Sequence, residues 1–316
     1  MNAEAGTASD GYRWLSENDE VLREGIIWND AIGDGKDRYK SGGITHGWVI
    51  PDVRFTREPW FNRRVAAVEL QGRGFIATPE NTQNPAAGDR PFAEYFAIGA
   101  YLRTIGMPRP VGPALTKSTE DRIGLELGLL GDPLPFFEIQ DVIHSGSVNN
   151  NPSNTLDGQF LANIEARRTW RYHQQLNDTD LEFAPFVQVS AGMRENSVRI
   201  GGDIIYGSSL EGRLWNHDLA TGAMYPGGSA PREGPQLMVW MGADAGYVAS
   251  DAMLDGGFLA DGPSADREPL TGRVRAGVMV EMGDAAVGYS MTWLSEEFRG
   301  QKHSQVIGAV TVKLRF

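Results

Sequence analysis

The stretch that decides the fold is C-terminal: Val306-Ile307-Gly308-Ala309-Val310-Thr311-Val312-Lys313-Leu314-Arg315-Phe316. Successive side chains of a strand point to opposite faces. Val306, Gly308, Val310, Val312, Leu314 and Phe316 therefore share one mostly apolar face, opposite Ile307, Ala309, Thr311, Lys313 and Arg315. Upstream, Val274, Ala276, Val278, Val280 and Met282 alternate with Arg273, Arg275, Gly277, Met279 and Glu281. After a Gly283-Asp284 turn, Ala285, Val287, Tyr289, Met291 and Trp293 alternate with Ala286, Gly288, Ser290 and Thr292. Three strands joined by hairpins make an antiparallel meander. Soluble sandwich strands run to ~5–6 residues. These are about twice as long, and Tyr289 and Trp293 are placed for an interfacial aromatic girdle, so the pattern predicts an outer-membrane barrel over a soluble β protein.

The rest of the 316 residues agrees. Hydrophobic residues make up 41% and charged residues 22%, which excludes a disordered chain, and the 39 glycines suit many turns. There is no cysteine, hence no disulfide, thiolate metal site or Cys nucleophile. No apolar run approaches the ~20 residues of a spanning helix. A net charge of -12 argues against nucleic acid as a partner. It leaves a membrane barrel open, since such a barrel keeps its polar residues inside. Met1–Thr7 has neither a basic nor an apolar region, so no signal peptide is read there, whether because the mature form starts here or because there never was one.

Segments of the same kind centre near Ile26, Val49, Val68, Ile98, Leu125, Trp170, Val187, Ile204, Val239, Val278, Met291 and Val310. The expected fold is all-β: a transmembrane antiparallel barrel of about twelve strands. It forms one domain over residues 1–316, with 1–20 as a flexible N-terminal segment. An even count puts both termini on the periplasmic side and sends Asn29–Gly43, Thr78–Pro91 and Gly131–Gln159 to the outer rim. Glu211–Pro235 is too long for a periplasmic turn, so either it folds there or the count is off by a pair.

Of five histidines, His303 reads as solvated surface, His46 and His173 as lumen or rim, and His217 as a residue with nothing paired to it. His144 differs. It follows Phe136–Ile143, a stretch of helical rather than alternating character, and on a helix Gln140 and His144 share a face. That places a short helix in an extracellular loop near the active site. The first outer loop, Trp28–Gly43, interleaves Asp30, Asp34 and Asp37 with glycines, oxygen donors suited to Ca²⁺ but without EF-hand spacing. The bland alternative is an Asp/Gly-rich turn with solvated charges. No Gly-x-Ser-x-Gly elbow, Walker loop or His-Glu-x-x-His motif occurs. For a hydrolase, a His-activated water with a divalent cation at the ester carbonyl is then the simplest chemistry.

From Trp28 to Phe316 the motifs, taken in order, resemble the outer-membrane lipid A 3′-O-deacylase family. Asn29-Asp30 followed by Asp37–Gly43 is similar to its Asn-Asp and Asp-Arg-Tyr-Tyr-Thr-Asn-Gly elements. Asp89-Arg90-Pro91-Phe92-Ala93 is similar to Asp-Arg-Pro-Tyr-Ala-Gly. Gly131-Asp132-Pro133, Gln140 and His144 resemble its Gly-Pro and Gln-x-x-x-His segment. Tyr247–Ala249, Leu254–Gly256, Ser295 and Phe298–Gln301 also fit.

The resemblance implies a Ca²⁺-dependent esterase of the bacterial outer membrane that removes the 3′-linked acyloxyacyl group of lipid A, the anchor of lipopolysaccharide. Its partners would be lipid A and outer-membrane lipid, and a monomer is the expected form. His144 would be the general base. Asn29, Gln140 and Ser41 would position the water or polarise the carbonyl, and Asp30 would bind Ca²⁺. Lys36, Arg38 and Lys40 are the candidate contacts to lipid A phosphates. Four departures stand out: Ser41 for threonine, Gly42 for asparagine, Lys40 for tyrosine and Glu94 for glycine. The loop after His144 lacks the family's acidic metal ligand, so Asp157 or Glu165 would have to serve. The alternatives are a barrel phospholipase and an inactive barrel or pore; about twelve strands give a lumen narrow enough for side chains to fill.

Overall fold

In a bilayer no water can satisfy exposed backbone groups, so a strand-built span must close on itself. The computed structural model describes residues 21–36, 38–51, 64–131, 134, 154–229, 234–259 and 262–315. It contains β1 (Leu22–Asn29), β2 (Tyr39–Pro51), β3 (Arg64–Thr78), β4 (Ala93–Gly106), β5 (Arg109–Gly112), β6 (Leu115–Leu130), β7 (Gln159–Leu176) and β8 (Thr179–Gly192). Then come β9 (Glu195–Gly207), β10 (Leu214–His217), β11 (Met224–Gly228), β12 (Pro235–Asp251), β13 (Leu270–Met282), β14 (Ala285–Leu294) and β15 (Gln305–Arg315). β1 pairs β15 from Leu22↔Arg315 to Asn29↔Gly308, and β4 pairs β6 from Tyr95↔Leu130 to Ile105↔Glu120. The ring β1-β2-β3-β4-β6-β7-β8-β9-β12-β13-β14-β15 thus closes as a twelve-stranded antiparallel barrel. Each of the twelve expected centres falls in one of these strands. No α-helix occurs among the described residues, and the helix expected around Gln140 and His144 lies outside them, as does the 1–20 segment.

Alternation separates the two faces as the sequence demands. Ile98, Ile200, Met241, Val287, Val310 and Val312 point outward into the apolar surroundings. Glu69, Arg103, Glu126, Arg171, Asp203, Asp244, Arg275 and Glu281 point inward and are buried. A buried charge is tolerable only when paired and hydrogen-bonded. Arg275 meets Asp203 and Asp244, both at 2.7 Å. Arg103 meets Glu69 at 2.5 Å and Glu120 at 2.6 Å, and Arg171 meets Glu182 at 2.8 Å.

The awkward connection explains itself here. The strand count stands, and residues 208–229 fold back into the lumen as the β10–β11 ribbon, turned by Gly222 at φ 74°. Leu210, Trp215 and Met224 pack against Ile205, Met238, Trp240 and Met279. Arg103 donates to the Trp215 carbonyl at 3.0 Å, Arg171 to the Arg213 carbonyl at 2.6 Å, and Asn216 to Glu24 at 2.5 Å. Nor is His217 without a partner: its Nε2 lies 3.0 Å from Asp203 and 3.2 Å from Arg167. This filling argues against the open lumen that a pore requires. Replacing residues 209–229 by a short turn should convert a non-conducting barrel into one with measurable single-channel conductance in planar bilayers.

Candidate functional site

The outer ends of β1, β2 and β3 carry the residues singled out from sequence. Asn29 follows Ile27 on the outward face of β1, and its Oδ1 accepts the Ala31 N–H at 2.7 Å. Opposite it on β2 lies Gly42, and a Cβ there would come within 2.9 Å of Asn29 Nδ2, so the amide lies across the glycine. Lys40 pairs with Ala77 and Gly42 with Ile76, which makes Ser41 the extra residue of a bulge. Bulges re-aim side chains next to sites. The buried Ser41 hydroxyl sits 2.7 Å from that of Thr78, and Thr78 is in phase with outward-facing Leu70 on β3. Asn29, Ser41 and Thr78 therefore form a polar cluster at one end of β1–β3, with both hydroxyls buried.

The loop after β1 is folded down onto this wall. Asp30 is fully buried; its Oδ2 accepts the Arg38 N–H at 2.7 Å and its carbonyl accepts those of Gly33 and Gly35. Gly33 and Gly308 let the loop lie flat. A Cβ on Gly33 would stand 2.2 Å from the Val306 carbonyl oxygen, and one on Gly308 2.3 Å from that of Ile32. The Tyr289 hydroxyl donates to the Ile32 carbonyl at 2.7 Å, so this girdle residue also anchors the loop.

Behind the cluster, inside the rim, Lys40 and Arg90 converge on Glu297, Arg90 at 3.2 Å. Burial pushes the Glu297 carboxyl up, but the two cations pull it further down, so it is held below the ordinary value of 4.5. Asp89 goes the other way: burial raises it although it accepts the N–H groups of Glu80 and Arg90. Arg38 is bonded to Asp34 at 3.2 Å and to the Ser304 carbonyl at 3.3 Å. Gln305 fixes the strand entry by donating to the carbonyls of Arg38 and Lys40 at 2.6 and 3.0 Å. Lys36 is exposed.

The acidic candidates separate. Glu165 points into the lumen, where it holds Arg194 at 2.9 Å and accepts from Ser190 at 2.9 Å, far around the ring from Asp30. Asp157 is exposed, and its backbone carbonyl lies against Gly131. Among the described residues no three His, Asp or Glu side chains cluster to hold a metal. Gln140 and His144 lie outside the described residues. Glu94, the departure from glycine, is fully buried and in phase with outward-facing Phe96 and Ile98. His46, expected at the lumen or rim, is instead on the outward face, its ring 4.7 Å from that of Trp48.

The twelve-stranded barrel has a counterpart among known proteins. The family described as outer membrane protein LpxR matches residues 3–316. The chain belongs to this family. It is accordingly a protein of the bacterial outer membrane. LpxR from Salmonella typhimurium shares the fold, with a TM-score of 0.75 over 93% of this chain and 100% of that one at 15% identity. The β domain of the Bordetella autotransporter BrkA aligns at a TM-score of 0.45 and 9% identity, covering 95% and 99% of the two chains. The NalP translocator domain of Neisseria meningitidis aligns at 0.42 and 10%, covering 95% and 90%. A search of curated proteins finds no match.

Nothing in the sequence marked Thr78, Glu297 or Gln305 as parts of this rim, and Tyr289 was marked for the girdle but not as the loop's anchor. Only Gly33 and Gly308 hinted at the folded loop. The Glu297 pairs hold at neutral pH and are lost as pH falls from 4.5 through the depressed value, since a carboxylate with a lowered folded-state pKa contributes stability only while ionised. Protease nicking of the outer loops should therefore rise below pH 4.5, and Glu297→Gln should show raised nicking already at pH 7.

Proposed function

We propose that this chain is an outer-membrane ester hydrolase that removes the 3′-linked acyloxyacyl group of lipid A. Family membership supports the reading. The observation that carries it is the register that sets Asn29 against Gly42, beside the Ser41 bulge, at one end of a barrel with a filled lumen. A substrate anchored in the outer leaflet reaches that end of the wall laterally, and it has no need of the lumen.

In this reading His144 takes the proton from the attacking water, a role suited to a neutral imidazole at pH 7. Asn29, Gln140 and Ser41 orient the water or donate to the carbonyl oxygen as charge develops on it. Thr78 holds the Ser41 hydroxyl, and the loop anchored by Tyr289 holds Asn29. Of the three candidate contacts to lipid phosphates, exposed Lys36 is the one turned to the surface, whereas Arg38 and Lys40 are paired with Asp34 and Glu297.

Asp30, whose buried carboxylate accepts the Arg38 N–H, is the residue that would hold Ca²⁺. Glu165 does not fit beside it, being committed to Arg194 in the lumen. When bound, the ion supplies polarisation of the ester carbonyl and stabilisation of the oxyanion.

Lipid A incubated with the refolded protein, with Ca²⁺ or with chelator, should lose the 3′ acyloxyacyl mass only with Ca²⁺; intact lipid A under verified folding would defeat the proposal. His144→Ala should abolish the loss while the heat-modifiable gel shift of the folded barrel persists. Asp30→Ala should cost activity that added Ca²⁺ restores only in part, whereas full activity at low Ca²⁺ would remove its metal role.

A further inference from the structure

Below Asn29 the outward wall is not smooth. An open groove of about 330 Å³ runs down β1 between β2 and β15, lined by Ile27, Ile44, His46, Val310, Val312 and Leu314. Its floor is Gly25, which sits between His46 on β2 and Val312 on β15. A glycine inside a strand weakens it and marks a bulge or the close approach of a ligand or another backbone. No bulge interrupts β1. A Cβ at Gly25 would find its nearest neighbours at 3.4 and 3.6 Å, ordinary contact distances, so packing does not require the glycine. Gly42 and Gly308 differ, being filled by the Asn29 amide and by the Ile32 backbone.

The hollow lies in line with the candidate site. Outward positions on β1 read Arg23, Gly25, Ile27 and Asn29, so Asn29 stands one outward position beyond Ile27, where the groove ends on β1, and the six-residue path from Arg23 spans ~20 Å at ~3.3 Å per residue. His46 forms the β2 wall as a ridge between Gly25 and Gly72, stiffened by Trp48. Apart from His46 and Arg23 the outward lining is aliphatic and faces the hydrocarbon, which suits one flexible alkyl chain.

We propose that this groove seats the fatty acyl chain of the ester cut at the rim, and that Gly25 sets the chain length accepted. The inference rests on the hydrolase reading for the word "cut", but the seat itself can be tested without turnover. Lipid A bearing a diazirine at the end of its 3′-linked acyl chain is photolysed with the full-length protein in bicelles. Adducts should concentrate on Ile27, Ile44, His46, Val310 and Val312 over the control wall of Ile164, Phe183 and Val189. Gly25→Leu should reduce groove labelling at least fivefold. It should also slow release of the native-length chain at least tenfold, while a chain truncated to four carbons changes less than twofold. Gly25→Ala, which leaves the hollow partly open, guards against a folding defect by falling between. Labelling spread evenly around the barrel, or an unchanged chain-length profile in Gly25→Leu, overturns the seat and leaves the hydrolase reading standing. Groove labelling lost in Gly25→Leu, with no hydrolysis by the unaltered protein, upholds the seat and overturns the hydrolase.

Discussion

Everything in this molecule follows from the need to close a hydrogen-bonded sheet in a medium that offers no other partners. Closure through β1–β15 and β4–β6 fixes twelve strands, and twelve strands fix a narrow lumen. Alternation then forces half of each strand's side chains into that lumen. The sequence supplies arginines and carboxylates there, so each must find its opposite at close range. The β10–β11 ribbon completes that pairing by bringing carbonyls and amides to Arg103, Arg171 and Glu24. A lumen so occupied leaves a lipid only the rim and the outer wall to meet.

That displacement accounts for the rim's architecture. A bulge at Ser41, the close contact of loop residue Gly33 with Gly308 on β15, and the Tyr289 hydroxyl together hold the polar side chains at this end of the wall. Glu297 with Lys40 and Arg90 braces the same rim from within. Polar groups on a membrane-facing wall are costly unless they are covered and bonded, and here each is held by a neighbour.

The barrel was legible because period-2 alternation sustained over ten residues is a local signal, and twelve such segments were enough to count strands. Asn29 and Ser41 were legible as motif positions, though not as neighbours, since their approach depends on a bulge that alternation alone does not announce. Glu165 misled because sequence order placed it after His144, whereas its phase on β7 turns it inward to Arg194. His217 and the ribbon escaped because a strand pair that packs inside a barrel has no membrane face and so lacks the alternation that betrays the others. The Gly25 groove was invisible for a simpler reason: a missing side chain leaves no pattern.

The ribbon touches both sides of the line where the chain's two ends meet. Asn216 donates to Glu24 on β1, and Lys313 on β15 donates to Ser229 and Glu281. The line of closure is therefore held twice, by the β1–β15 ladder and by the filling behind it. The segment between the eighth and ninth spanning strands acts as a clasp laid across the inside of the cylinder's seam.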